Sequence, residues 1–199
     1  MKDILRKIIK IILEFLILIV YRPKIIGKEN IQDGKPALIC PNHVHALDSA
    51  VIILTYKRKI NVLAKEELFK NWFIKFLAYL FGVYPVKKDS KSMESVKISL
   101  KLLKNNELLL IFPEGTRNGM AKGLKPKDGA VKLAIRAGVP IIPVGVQGDF
   151  KAFKKIKVNI GKPINYNNYT KDDTNDKKLM NDLTEKLMNE IVKLRDEKI

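Results

Sequence analysis

Apolar positions along this chain change their spacing after the first twenty residues. Residues 1–20 are apolar nearly all the way round a helix. Asp3, Lys7, Lys10 and Glu14 stand at offsets of four, seven and eleven, one polar stripe along it. From residue 23 onward, short apolar runs alternate with stretches of helical spacing, the pattern of an α/β domain. Strands are predicted at 37–40, 60–64, 83–86, 108–112, 140–146 and 156–160. Helices are predicted at 49–56, with Asp48 as its cap, and at 66–81, 93–104, 129–137 and 175–197. The run 108–112 is apolar without alternation, as befits a central strand covered on both faces. Gly82 and Gly138 close the helices before them, and Asn105–Asn106 end a third. Pro140 and Pro143 weaken the strand at 140–146. The polar stretch 165–174 reads as a loop, and there is no internal repeat or long linker. The expected fold is one α/β domain over 23–199, a central, mostly parallel or mixed sheet flanked by helices. An amphipathic helix over 1–22 precedes it.

That first helix is short of a spanning segment. Its apolar core, 11–20, is broken by Glu14 and preceded by Lys10, whereas a span needs roughly 18 uncharged apolar residues. Lys2, Arg6, Lys7 and Lys10 resemble the basic start of a signal peptide, but Tyr21, Arg22, Pro23 and Lys24 follow in place of a small-residue cleavage site. Such a helix lies in a membrane interface, its lysines contributing about 1 kcal/mol each against anionic head groups, or crosses the membrane at a tilt, or packs on the protein's own core. The whole chain carries 38 Lys and Arg against 21 Asp and Glu, a net +17. Part of that excess reflects a lysine-, isoleucine- and asparagine-rich usage; the rest implies an anionic partner, whether membrane, nucleic acid or acidic protein or substrate. A single cysteine, Cys40, excludes an internal disulfide and fits a reducing compartment.

Both histidines fall in one octapeptide, PNHVHALD, residues 41–48. On a regular helix His43 and Asp48 would lie about 140° apart around the axis and could not meet. They meet if His43 sits in the turn after strand 37–40 and Asp48 in the first turn of the next helix. The carboxylate then takes one ring nitrogen and leaves the other free as a base. A second turn, FPEGTRNG at 112–119, follows strand 108–112, at a strand's carboxyl end, where α/β proteins place ligand sites. Gly115 permits unusual backbone angles, and Arg117 offers a fork of donors suited to phosphate.

NHVHALD followed about seventy residues later by FPEGTR resembles the glycerophospholipid acyltransferase family, of the lysophosphatidic acid acyltransferase type. LAKEEL (63–68), GVYPVKK (82–88), GVPIIPVGVQG (138–148) and KIIGKENI (24–31) extend the resemblance in the family's order. Two positions depart from its pattern. Lys88 stands where the second motif usually ends in arginine, which loses the bidentate fork, and His45 stands where serine is commoner. The resemblance implies lysophosphatidic acid as acceptor and an acyl thioester, acyl-CoA or acyl-ACP, as donor substrate, with no other cofactor and no metal. His43 would be the general base, oriented by Asp48, because a hydroxyl attacks well only as its proton is removed. Glu114, Gly115, Thr116 and Arg117 would bind glycerol and phosphate, with Lys65 and Lys88 as further phosphate contacts. The protein would sit on membrane lipids and their anionic head groups, at the cytoplasmic face of the cytoplasmic membrane.

Other readings stay open beside this one. Cys40, three residues before His43, is either an acyl-enzyme nucleophile or a small buried residue. Phe69, Trp72, Phe73, Phe76, Leu77 and Leu80 share a face of helix 66–81; it is ordinary core, a wall of an acyl pocket, or a second membrane contact. The acceptor could be another lysophospholipid, glycerol 3-phosphate or another lipid hydroxyl. A non-enzymatic basic module would explain the charge but leaves both motifs as accidents, and no nucleic-acid motif is present, so no nucleic-acid partner is expected.

Overall fold

Apolar runs that alternate with helices build one seven-stranded mixed sheet, ordered β1-β7-β6-β2-β5-β3-β4. The computed structural model describes residues 2–45, 47–56, 58–86, 93–151 and 153–197. The strands are β1 (Lys24–Ile26), β2 (Ala37–Pro41), β3 (Ile60–Lys65), β4 (Val83–Val86), β5 (Leu108–Leu110), β6 (Ile141–Gln147) and β7 (Lys157–Ile160). The five from β6 to β4 are parallel; β7 runs antiparallel to β6, and β1 pairs with β7. Strand β1 was not visible in the sequence, because three residues carry no periodicity. The strand predicted at 108–112 ends at Leu110; the Ile111 N–H still donates to the Ile39 carbonyl, and Phe112 opens the turn, its carbonyl accepting the Gly115 N–H. Pro143 lies inside β6, opposite Cys40, so neither proline ends that strand.

The helices divide between the two faces of the sheet. Helices α2 (Asp48–Thr55) and α3 (Trp72–Phe81) carry the chain outward, from β2 to β3 to β4. Helices α4 (Met93–Lys104) and α5 (Gly129–Ala137) carry it back through β5 to β6. Right-handed crossovers in opposite directions must lie on opposite faces. Accordingly Leu38, Leu109 and Ile141 pack toward α4, α5 and α6 (Lys177–Asp196), while their neighbours Ile39, Leu110 and Ile142 pack toward α2. Helix α6 rests directly on β6 because Gly145 has no side chain: a Cβ there would lie 2.2 Å from the Arg195 nitrogen. Asp176 starts α6 by accepting the Lys178 and Leu179 N–H groups.

Helix α1 (Lys2–Tyr21) lies on the α2 face, with Ile17 and Tyr21 against the core. Lys10 donates to the Tyr56 carbonyl at 2.9 Å and pairs with Glu14 at 3.4 Å. Its opposite side, including Ile4, Ile8, Ile11, Phe15 and Ile19, is exposed. Among the described residues no helix is long and apolar enough to cross a membrane.

The segment predicted as one helix over 66–81 is two. A 3-10 turn spans Glu66–Lys70, and α3 restarts after Asn71, whose side chain accepts the Phe73 and Ile74 N–H groups at 2.9 and 3.3 Å. The face read from spacing is split: Leu80 is core and Phe69 and Leu77 are half-buried, while Trp72, Phe73 and Phe76 are open. Ala78 and Leu80 are buried and Phe81 packs against the sheet, but Trp72 and Tyr79 are 78% and 73% exposed and Phe76 39%. Lys75, the one charged residue of α3, stands on the outward side with Trp72 and Tyr79, whereas the spacing of the aromatic residues by itself does not show which of them meets the sheet.

Candidate active site

Strand β2 ends at Pro41, and the next residue locks the turn. The buried Asn42 amide donates to the Val146 carbonyl at 2.9 Å and its oxygen accepts the Val146 N–H at 2.6 Å. The side chain thus extends the sheet by one rung past the end of the strand. His43 follows, and α2 then begins at Asp48. The helix was expected to use Asp48 as its cap; instead Leu47 holds that place and the Asp48 carboxylate turns back into the loop. Asp48 is fully buried, and one oxygen, Oδ2, gathers three donors. They are His43 Nδ1 at 3.0 Å, Val44 N–H at 2.7 Å and His45 N–H at 2.8 Å. With Nδ1 donating to the carboxylate, the neutral ring carries a bare Nε2. Nε2 has no partner among the described residues. The ring lies nearly flat on Phe112, centroids 3.9 Å apart, which fixes its plane.

Glu114 ties this turn to the second one. Its Oε1 accepts the His43 N–H at 2.8 Å and its Oε2 the Met120 N–H at 3.0 Å. The Asn118 N–H donates to the His43 carbonyl at 2.6 Å, a further strap between the two loops. Glu114 is 6% exposed, so its carboxylate faces inward, between the turns. Gly119 leaves room for it, since a Cβ there would lie 3.1 Å from the Glu114 Cβ. Gly115 takes a left-handed φ of 67°, which bends the loop sharply after Pro113.

Thr116 and Arg117 project outward from that bend and are exposed. The Arg117 guanidinium makes no hydrogen bond or ion pair with the described residues. Lys122 donates to the Arg117 carbonyl at 3.0 Å, and the Lys127 chain passes over Gly115. Lys65 ends β3, exposed, at the same end of the parallel sheet as both turns. Lys88 lies outside the described residues. The sequence had not singled out Asn42, Phe112, Lys122 or Lys127.

His45 is held apart from His43. Its ring stacks on Phe150 at 4.7 Å, its Nδ1 accepts the Leu47 N–H at 3.2 Å, and Phe150 in turn meets Tyr21 at the end of α1. Cys40 points to the other face of the sheet, fully buried beside Leu102 and Tyr166, where burial pushes its thiol pKa up. A buried, protonated thiol facing away from the turn is no acyl acceptor. Among the described residues no three His, Cys, Asp or Glu side chains gather as a metal site would require.

Comparison with known proteins bears on this geometry. The family model described as Acyltransferase matches residues 22–147. A Bacillus subtilis 1-acyl-sn-glycerol-3-phosphate acyltransferase is 35% identical over 150 residues, covering 71% of this chain and 73% of that protein. Proteins of the same description from Borreliella burgdorferi (31% identical) and, as the beta form, Homo sapiens (32% identical) align over 68% and 64% of this chain. The aligned region spans about half of each of those two relatives, 55% and 46%. In three dimensions the chain resembles the crystal structure of the 1-acyl-sn-glycerophosphate acyltransferase PlsC from Thermotoga maritima. The TM-score is 0.70 at 21% identity, covering 100% of this chain and 85% of that one, a likeness of fold.

Proposed function

This chain belongs to the acyltransferase family, and from that premise we propose that it acylates the sn-2 hydroxyl of lysophosphatidic acid, giving phosphatidic acid. The donor is an acyl thioester, acyl-CoA or acyl-ACP. One observation carries the reading: a His43 ring fixed by buried Asp48, its Nε2 open, strapped to the loop that presents Arg117. The acceptor hydroxyl gives its proton to His43 Nε2 as its oxygen attacks the thioester carbonyl carbon. The tetrahedral intermediate collapses, the carbon–sulfur bond breaks, and the leaving thiolate takes the proton back from His43. Asp48 holds the tautomer and stabilises the imidazolium that forms between these steps. The acceptor attacks directly, so no covalent acyl-enzyme forms.

Arg117 binds the acceptor phosphate, with Lys65 and Lys88 adding charge nearby. Gly115 and Thr116 shape the loop around the glycerol. Glu114 acts through the backbone: each of its oxygens takes an N–H of one turn, which fixes the distance between base and phosphate site. Arg117→Ala is expected to raise KM for lysophosphatidic acid by about tenfold or more, the size of one charge-assisted hydrogen-bonded contact, with a smaller change in kcat. Steady-state kinetics against acceptor concentration checks this; unchanged KM and kcat would remove Arg117 from the phosphate site.

The acceptor and product are lipids, and α1 suits their setting. Its exposed side presents a broad apolar stripe, with Lys7 exposed at its margin, to an interface rich in anionic head groups. We place the enzyme at the cytoplasmic face of the cytoplasmic membrane on this basis. The paired substitution Ile8→Glu and Phe15→Glu lies on that stripe, away from the core. It is expected to lower vesicle partitioning by about a hundredfold, two apolar side chains' worth of burial. Flotation with vesicles of phosphatidylglycerol and phosphatidylcholine measures it; unaltered flotation would move the anchor off α1.

A further inference from the structure

We infer that the outer face of α3 is a second membrane-docking surface, which enters the interface of an anionic bilayer beside the catalytic end of the sheet. The inference extends the membrane reading given to α1, but it rests on a different element. Trp72, Phe76 and Tyr79 stand at helical positions one, five and eight and form a continuous outer stripe, with Phe73 at its margin. All four are exposed, on a helix whose core contact is already met by Ala78, Leu80 and Phe81. Leu68, in the turn just before α3, is exposed as well. An unpartnered patch of this kind on a folded domain marks an interaction site.

The chemistry of the patch selects its occupant. Trp and Tyr have an apolar ring and a polar edge and collect at the head-group level of membranes. Lys70 and Lys75 flank the stripe, both exposed, and the whole chain carries +17. A second copy of this chain would bring the same positive field against it, whereas an anionic bilayer neutralises that field. Position agrees with composition. Helices α1 and α3 lie on the same face of the sheet, the face that also carries α2, whose first turn holds Asp48. Leu68 and Trp72 follow β3, and β3 is parallel to β2 and β5, so they stand at the end of the sheet where the His43 and Arg117 turns lie. Contacts through both α1 and α3 would turn the face that carries α2, and with it the His43 turn, toward the bilayer.

Trp72 is the single tryptophan of the chain, so its emission reports α3 alone. The full chain is bound to vesicles of phosphatidylglycerol and phosphatidylcholine, and the spectrum is recorded with and without lipids brominated at shallow or deep acyl positions. The expected result is a blue shift from the water-exposed spectrum and quenching that is stronger for the shallow bromines. Phe76→Ser with Tyr79→Ser, both surface changes, should weaken partitioning by about tenfold or more and diminish the shift. A chain that floats with vesicles while Trp72 keeps its aqueous, unquenched spectrum would overturn the inference, leaving α1 as the whole contact. So would a blue shift that grows with protein concentration in the absence of lipid, which would mean that a second copy covers α3. The readout is one indole's environment, so its failure is distinct from a failure of acyl transfer.

Discussion

His43→Ala is expected to lower the rate of acyl transfer by about a hundred- to ten-thousand-fold, the range over which a positioned general base contributes. The ring sits in a turn, partly exposed, and its main protein contacts are Phe112 and one Asp48 oxygen. The strands and helices do not depend on it, so the melting temperature should move little. Release of free thiol from the donor, followed with saturating acceptor, gives the rate, and a thermal melt gives the fold. A residual rate within about tenfold of wild type would mean that another group removes the hydroxyl proton, since a base worth the usual factor is then missing from the account.

Asp48→Asn is expected to reduce transfer on the same scale while retaining more of the fold than Asp48→Ala. The two substitutions remove different things. The asparagine oxygen can occupy the place of Oδ2 and still accept from His43 Nδ1, Val44 N–H and His45 N–H. Its amide then falls where Oδ1 now lies, a buried position without a hydrogen-bond partner among the described residues. An unsatisfied donor there costs about 1–3 kcal/mol. The negative charge that would stabilise the imidazolium is also gone, which lowers the rate even where the loop keeps its shape. Alanine leaves all three donors without an acceptor, at about 1–3 kcal/mol for each one that water does not reach. The expected order of melting temperature is therefore wild type, Asn, Ala, with both variants slow. An Asn variant that unfolds like Ala yet keeps wild-type turnover would mean that Asp48 shapes the loop and does nothing for the base.

Much of this architecture could be read from the chain, because burial on both faces and helical periodicity leave marks in consecutive residues. The order of strands and helices from Ala37 to Ile160 follows the apolar runs, and the meeting of His43 with Asp48 follows from placing one in a turn and the other in the first helical turn. What escaped has in common that it depends on partners distant in sequence. Glu114 belongs visually to a ligand loop, but its two oxygens are taken by backbone groups, one of them 71 residues away. Strand β1 is three residues long and exists because β7 offers it an edge. Asn71 divides a segment that periodicity reads as one helix, through a side-chain cap that periodicity does not register. The residues that share a side of α3 show the same limit: the packed sheet covers Leu80 and part of Leu77 and leaves Trp72, Phe73 and Phe76 open. Lys127 reaches the second turn from a loop beyond it, and nothing in its neighbours announces that reach.

The central claim is that the two strapped turns form a base and a phosphate site for one lipid acceptor. It is tested most directly by acyl transfer from a labelled thioester to lysophosphatidic acid in vesicles, wild type beside His43→Ala, with the product cleaved to locate the label. The predicted result is phosphatidic acid labelled at the sn-2 position in wild type and almost none in the variant. Equal product from both proteins, or none from folded wild type with lysophosphatidic acid or any other lipid hydroxyl, would contradict it.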